Sequence, residues 1–288
     1  MKAGAFTGSV RGGRALLDVA STRAEPIPFY GELGSLNPVF VTPAAVAARG
    51  PAIAEGYVGS FTLGTGQFCT KPGLLFLPAG HGLEERLAEL VRATAPAGML
   101  NDRIRAGHTH ERDRLEGLGP IRTLVPGGDD PAGVAPTLLA TTAKELLADP
   151  DPVLQECFGP TSIVVEYDGP DEMLAAAAAF GGNLTATVHA EDADAPALPP
   201  LLDALRDRAG RLVYNGWPTG VAVAWAMHHG GPYPATTASI HTSVGVSAVR
   251  RFLRPVCYQN TPQALLPEAL RDGNPLGVPR RVDGVLER

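Results

Sequence analysis

Apolar and polar positions along this chain switch repeatedly between two periods. Leu83, Leu87 and Leu90 recur at helical spacing with charged residues between them, which predicts an amphipathic helix over 83–93. Short apolar runs at 74–77, 137–140, 162–167, 185–189 and 211–214 predict strands, and 142–148, 171–180 and 201–209 predict helices. At the start, 2–6 reads as a strand, Thr7-Gly8-Ser9 as a tight turn and 14–20 as a helix, with a second short strand ending near Glu32. Strand and helix alternating in this way predict an α/β fold with a largely parallel sheet covered by helices. The stretch 117–133 is rich in Gly, Pro and Asp and reads as a surface excursion. Past Pro234 the texture changes. Residues 236–249 are small and polar, 250–258 read as an arm-like strand, and Pro262, Pro267, Pro275 and Pro279 mark a tail expected to lie against another surface.

Composition narrows the class. Hydrophobic residues make up 44% and charged residues 19% of 288 positions, enough for a sizeable core. The net charge of −6 gives no electrostatic case for nucleic acid or an anionic membrane. No apolar run is long enough to span a bilayer, and Met1-Lys2-Ala3-Gly4-Ala5-Phe6 does not resemble a signal peptide. Cys69, Cys157 and Cys257 are far apart and odd in number, which argues for a reducing compartment. The expectation is a cytoplasmic protein.

The candidate chemistry centres on Cys69 in Gly64-Thr65-Gly66-Gln67-Phe68-Cys69-Thr70 and on Glu32 in Phe29-Tyr30-Gly31-Glu32-Leu33-Gly34-Ser35-Leu36-Asn37-Pro38. A thiol and a carboxylate, each beside glycines that let backbone approach a ligand, suggest covalent catalysis at a carbonyl. Taken alone, Cys69 reads more readily as a buried packing residue and Glu32 as a capping or solvated carboxylate at a strand end. Thr7-Gly8-Ser9 before a helix suits a phosphate, or Ser9 as a plain N-cap. Lys71 could act on the thiol or sit in solvent. His108-Thr109-His110 lacks the spacing of a zinc cluster and reads as a solvated loop, so no residue is assigned to a metal. His228-His229 suit either substrate contact or packing, and Trp217 either a pocket wall or the core.

Four segments in order, Phe6-Thr7-Gly8-Ser9, Glu32-Leu33-Gly34-Ser35, Gly66-Gln67-Phe68-Cys69 and Glu156-Cys157-Phe158-Gly159-Pro160, resemble the aldehyde dehydrogenase superfamily. Glu-Leu-Gly-Ser, Asn215-Gly216-Trp217-Pro218-Thr219-Gly220-Val221, Gly231-Pro232-Tyr233-Pro234-Ala235-Thr236 and the 251–260 segment are similar to its branch acting on α-ketoglutarate semialdehyde (2,5-dioxovalerate). The resemblance implies a three-layer catalytic domain at 34–235, a remnant of the Rossmann-like cofactor domain at 1–33, and a tail with an oligomerisation arm at 236–288. It implies NADP or NAD as cofactor, Cys69 as nucleophile and Glu32 as general base. Gly8, Ser9, Leu33, Gly34, Glu156 and Phe158 are implied to hold the cofactor, with Cys157 as a packing residue. It implies an aldehyde substrate and a homo-oligomer. The Cys69 backbone N–H is one expected oxyanion donor. A Trp-Asn segment and a Lys-containing segment of the family have no counterpart here, so the chain resembles the C-terminal part of a longer enzyme. Little dehydrogenase activity is expected of these residues alone. The alternatives are a catalytic-domain piece acting only in subunit association, and a residual thiol esterase.

Overall fold

The computed structural model describes residues 1–287. Two compact units emerge, Met1–Arg251 and Phe252–Arg288. The first opens with β1 (Gly4–Thr7), α1 (Val10–Ser21) and β2 (Phe29–Glu32), and β1 and β2 pair in parallel as a separate two-stranded sheet. Ser9 caps α1, its Oγ accepting from the Gly12 N–H at 3.2 Å.

The main sheet is built next. β3 (Val39–Val41) leads into α2 (Pro43–Thr62), and β4 (Leu74–Pro78) into α3 (Glu84–Arg92) and α4 (Asp102–Glu116). β5 (Arg122–Val125) is followed by the small hairpin β6 (Gly128–Asp130) and β7 (Gly133–Ala135). Then come β8 (Thr137–Thr142), α5 (Ala143–Ala148), β9 (Thr161–Tyr167), α6 (Gly169–Ala179), β10 (Asn183–His189), α7 (Pro199–Arg206) and β11 (Ala209–Tyr214). Seven strands lie in the order β11-β10-β3-β4-β9-β8-β5, all pairs parallel except the antiparallel edge strand β5.

Side-chain alternation on these strands creates the three layers. Phe40, Leu74, Phe76, Ile163, Val165, Ala186 and Val188 point to one face and meet α5, α6 and α7 through Leu146, Ala176, Ala177, Leu201 and Leu205. Phe40 stacks on Phe76 with centroids 4.5 Å apart, and Phe180 meets both edge-on. Val39, Val41, Leu75, Leu77 and Val164 point the other way, onto Ile53, Tyr57 and Phe61 of α2 and Leu87 and Val91 of α3. Burying each of the larger apolar side chains here contributes roughly 1.5–3 kcal/mol before ordering costs. Cys157 is 5% exposed inside the first of these cores, as expected.

Several expectations need correction. The helix expected over 201–209 ends at Arg206, because Ala209 already pairs with Asn183 in the sheet. Residues 117–133 are not only an excursion, since β5 within them extends the main sheet. His108-Thr109-His110 is not a solvated loop: it lies within α4, and His108 is buried with its Nε2 2.9 Å from Thr161 Oγ1. Lys71 is not solvated. It is buried, and Nζ donates to the carbonyls of Cys157 and Thr161 at 3.0 and 2.8 Å. Residues 250–258 form no strand. A 3-10 segment covers Val246–Phe252, and the following backbone has no neighbouring strand among the described residues to pair with.

The second unit holds two 3-10 turns, Gln263–Leu265 and Glu268–Leu270, and the antiparallel hairpin β12 (Arg280–Val282) and β13 (Val285–Glu287). Asp283-Gly284 turns this hairpin with positive φ at both residues. No helix among the described residues is long and apolar enough to cross a membrane.

Candidate active site

The loop carrying Cys69 is shaped by three consecutive left-handed residues, Gly64, Thr65 and Gly66. A Cβ on Gly66 would stand 2.2 Å from the Gly159 carbonyl oxygen, so only glycine lets this loop lie on the Gly159-Pro160 backbone. Asn37 then ties the loop to the sheet. Its Nδ2 donates to the carbonyls of Cys69 and Lys71 at 2.9 and 3.0 Å. Its Oδ1 accepts from Ser35 Oγ, the Thr185 N–H and Thr185 Oγ1 at 2.8, 3.2 and 2.9 Å. Cys69 itself is half-buried.

Glu32 ends β2 and is 6% exposed. The structure brings it to Cys69 through a third residue. His229 Nε2 lies 3.2 Å from Cys69 Sγ and 3.3 Å from Glu32 Oε1. The ligand atoms of all three side chains fall within 4.8 Å of one another. His229 is held by its backbone: its N–H donates to Thr242 Oγ1 at 2.8 Å, and its carbonyl accepts from the Ser243 N–H at 2.8 Å. Ser243 Oγ in turn donates to Glu32 Oε2. His229 Nδ1 is buried with no hydrogen-bond partner among the described residues.

The electrostatics follow from this packing. Burial alone would lower the His229 pKa. Hydrogen bonds and charge from Cys69 and Glu32 outweigh it and push the imidazole up to about 9. Burial works to raise Glu32, yet the bonds from His229, Ser243 and Cys69 and the His229 charge hold it below the usual carboxylate range. An opening beside Glu32 is lined by Tyr30, His229, His241 and Ser243.

Most of the residues expected to hold a cofactor lie at or against the first turns of α1. Gly8 and Ser9 are exposed at the N-terminus of α1. A Cβ on Gly34 would stand 2.7 Å from Glu156 Oε2 and 3.1 Å from Val10 Cγ2, so the start of α1, the chain after β2 and Glu156 converge. Burial raises the Glu156 carboxyl to about 7, with the Lys71 charge and the Ser35 backbone N–H opposing. Leu33 is 4% exposed, and its Cδ2 fills the space a Cβ on Gly13 would need, so it packs α1 against β2. Phe158 is half-buried. Trp217 lies against Tyr57 and His189, with ring centroids 6.0 and 4.6 Å away.

In the sequence, His229 is open between substrate contact and packing, and nothing singles out Asn37 or Ser243. The paired histidines before Gly230-Gly231-Pro232 were the one signal for His229, and Asn37 was visible only as part of the segment around Glu32.

Residues 1–233 match the aldehyde dehydrogenase family, a span that includes Glu32, Cys69 and His229, and the chain belongs to that family. It is 44% identical over 297 residues to an alpha-ketoglutaric semialdehyde dehydrogenase of Acinetobacter baylyi, covering 99% of this chain and 55% of that protein. It is 47% identical over 289 residues to alpha-ketoglutaric semialdehyde dehydrogenase 2 of Azospirillum brasilense, covering 98% and 54%. The chain thus spans about half the length of the curated relatives it matches. In fold it is similar to the NAD+ complex structure of an aldehyde dehydrogenase from Bacillus cereus, with a TM-score of 0.71 at 19% identity over 86% of this chain and 50% of the other.

Proposed function

We propose that this chain carries the acyl-transfer centre of an enzyme that oxidises an aldehyde to a carboxylic acid, with α-ketoglutarate semialdehyde as substrate. The observation that carries this reading is His229 Nε2 within 3.2 Å of a half-buried thiol and 3.3 Å of a buried carboxylate. Family membership and the two semialdehyde dehydrogenase relatives support the substrate class.

In the proposed mechanism Cys69 Sγ forms a bond to the aldehyde carbon, giving a thiohemiacetal. His229 Nε2 holds the proton that the sulfur gives up, and Glu32 stabilises the charged ring. When bound, a nicotinamide cofactor, NADP or NAD, would supply the hydride acceptor for oxidation to a thioester on Cys69. Glu32 then takes a proton from the water that cleaves the thioester, with Ser243 fixing its second oxygen.

The residues present fit one part of such a cofactor. The α1 N-terminus with Gly8 and Ser9 suits a pyrophosphate, and Glu156 beside Gly34 and Val10 suits ribose hydroxyls. Phe158, Leu33 and Gly34 would line the nicotinamide side. We also propose that the tail joins copies of the chain, because Leu253, Val256 and Tyr258 expose apolar surface.

The test is hydrolysis of an activated ester such as p-nitrophenyl acetate, which requires the thiol and no hydride acceptor. Turnover abolished by Cys69→Ser supports the acyl-transfer centre, and turnover unchanged by it rules the centre out. Reduction of NADP by the semialdehyde, followed by absorbance, tests the oxidation itself.

A further inference from the structure

Thiolate, imidazole and carboxylate are the three ligand types that bind Zn2+ in proteins, and three such groups in a site with one open position are its recurring arrangement. Bond lengths of about 2.3 Å to sulfur and about 2.0–2.2 Å to nitrogen and oxygen, at tetrahedral angles, place ligand atoms roughly 3.3–3.6 Å apart. Here Sγ of Cys69 and Nε2 of His229 are 3.2 Å apart, Nε2 and Glu32 Oε1 are 3.3 Å apart, and no pair among the three exceeds 4.8 Å. The three donors come from remote points of the chain, which is why their spacing in the sequence shows no metal motif.

We propose that Cys69, His229 and Glu32 form a three-ligand site for a soft divalent cation, with Zn2+ as the ion it fits, and that occupancy reversibly masks the Cys69 thiol. The inference goes beyond the acyl-transfer reading and does not depend on it. On binding, the S–H proton and any proton on Nε2 pass to solvent, and metal–sulfur and metal–nitrogen bonds take their place. No electron is transferred. A cysteine thiolate and a glutamate carboxylate balance the two positive charges, and the neutral imidazole adds none.

The outer shell decides how the site behaves. Ser243 Oγ bonds the second Glu32 oxygen and orients it, as supporting residues do at metal sites. The backbone contacts of His229 fix the ring's place, but among the described residues Nδ1 has no hydrogen-bond partner. Such a site suits a releasable ion better than a structural one.

The test uses the whole chain and Zn2+ alone. Titration calorimetry is expected to show one ion per chain, weakened at least about 100-fold by Cys69→Ala or His229→Ala, since even an outer-shell loss typically costs about 10–100-fold. The exposed-thiol change Cys257→Ser is expected to leave the affinity unmoved. Near-ultraviolet circular dichroism of each variant checks that it has folded. A second measurement needs no variant: Zn2+ should shield Cys69 of the wild-type chain from iodoacetamide, read peptide by peptide, and a chelator should restore labelling. Equal affinity in folded Cys69→Ala, or Zn2+ that leaves Cys69 labelling unchanged, overturns the proposal. Zinc binding that persists in a chain inactive toward esters would sink the catalytic reading and leave the metal site standing.

Discussion

His229 and Cys69, 160 residues apart in the chain, face each other across 3.2 Å between Nε2 and Sγ. The same nitrogen faces Glu32, so a single ring joins the thiol to the carboxylate. Neither His229 nor Glu32 is more than 6% exposed, and their mutual attraction is therefore little screened by solvent.

Removing the ring should slow acylation. We expect His229→Ala to lower the rate of acyl transfer from an activated ester to Cys69 by about 10²–10⁴-fold, the usual worth of a positioned proton acceptor. Stopped-flow measurement of the first turnover checks this. A rate within twofold of wild type would remove His229 from the mechanism.

Asn37 should control both stability and the set of the catalytic loop. Its side chain meets five hydrogen-bonding groups in the Cys69 loop, Ser35 and Thr185, and its φ is +50°. Asn37→Ala leaves buried groups unpaired and is expected to cost about 3 kcal/mol. Asn37→Gly relieves the backbone but not the lost bonds, so it should cost somewhat less. Urea midpoints of the two variants decide the order.

Gly66 and Gly80 separate a crowding effect from a backbone effect. Both have positive φ, +65° and +72°, but a Cβ on Gly80 meets nothing within 4 Å whereas one on Gly66 meets the Gly159 carbonyl at 2.2 Å. Gly80→Ala should cost only the left-handed penalty of about 1–2 kcal/mol. Gly66→Ala should cost clearly more and reduce Cys69 reactivity. Equal thermal shifts in the two variants would mean that the loop is not clamped on Gly159.

Acid should weaken the fold through two buried histidines. Burial, with the charges of Lys71 and Arg112, lowers His108 to about 4, and burial with the Arg49 charge lowers His189 to about 4. Unfolded, each titrates near 6.5, so the unfolded chain takes up protons first as pH falls. Their stabilisation is complete above 6.5 and is lost progressively toward pH 4, each approaching about 3 kcal/mol. Urea midpoints from pH 7.5 to 4.5 should fall, and His108→Gln should flatten the decline.

Legibility in the sequence followed the local signal. Strands β8, β9 and β10 were visible because short apolar runs bounded by turns have few other uses. α2 was not, because Gly50, Pro51, Gly56 and Gly59 interrupt its pattern and Arg49 breaks the helix ahead of Pro51. α4 was hidden by charge: Asp102–Glu116 is polar on nearly every side, and His108 is buried there by the fold. Cys69 and Glu32 stood out through motifs, each within one short segment. His229 reaches them only through tertiary packing, which no spacing along the chain encodes.

The most direct test of the shared centre is to trap the acyl group. The chain is mixed with an activated ester, quenched, digested and read by mass spectrometry, in wild type and in Glu32→Gln. The acyl group is expected on Cys69, and it should accumulate further in Glu32→Gln because the residue that activates water has been removed. Acylation confined to the exposed Cys257, or equal acyl occupancy of Cys69 in both proteins, would contradict the account.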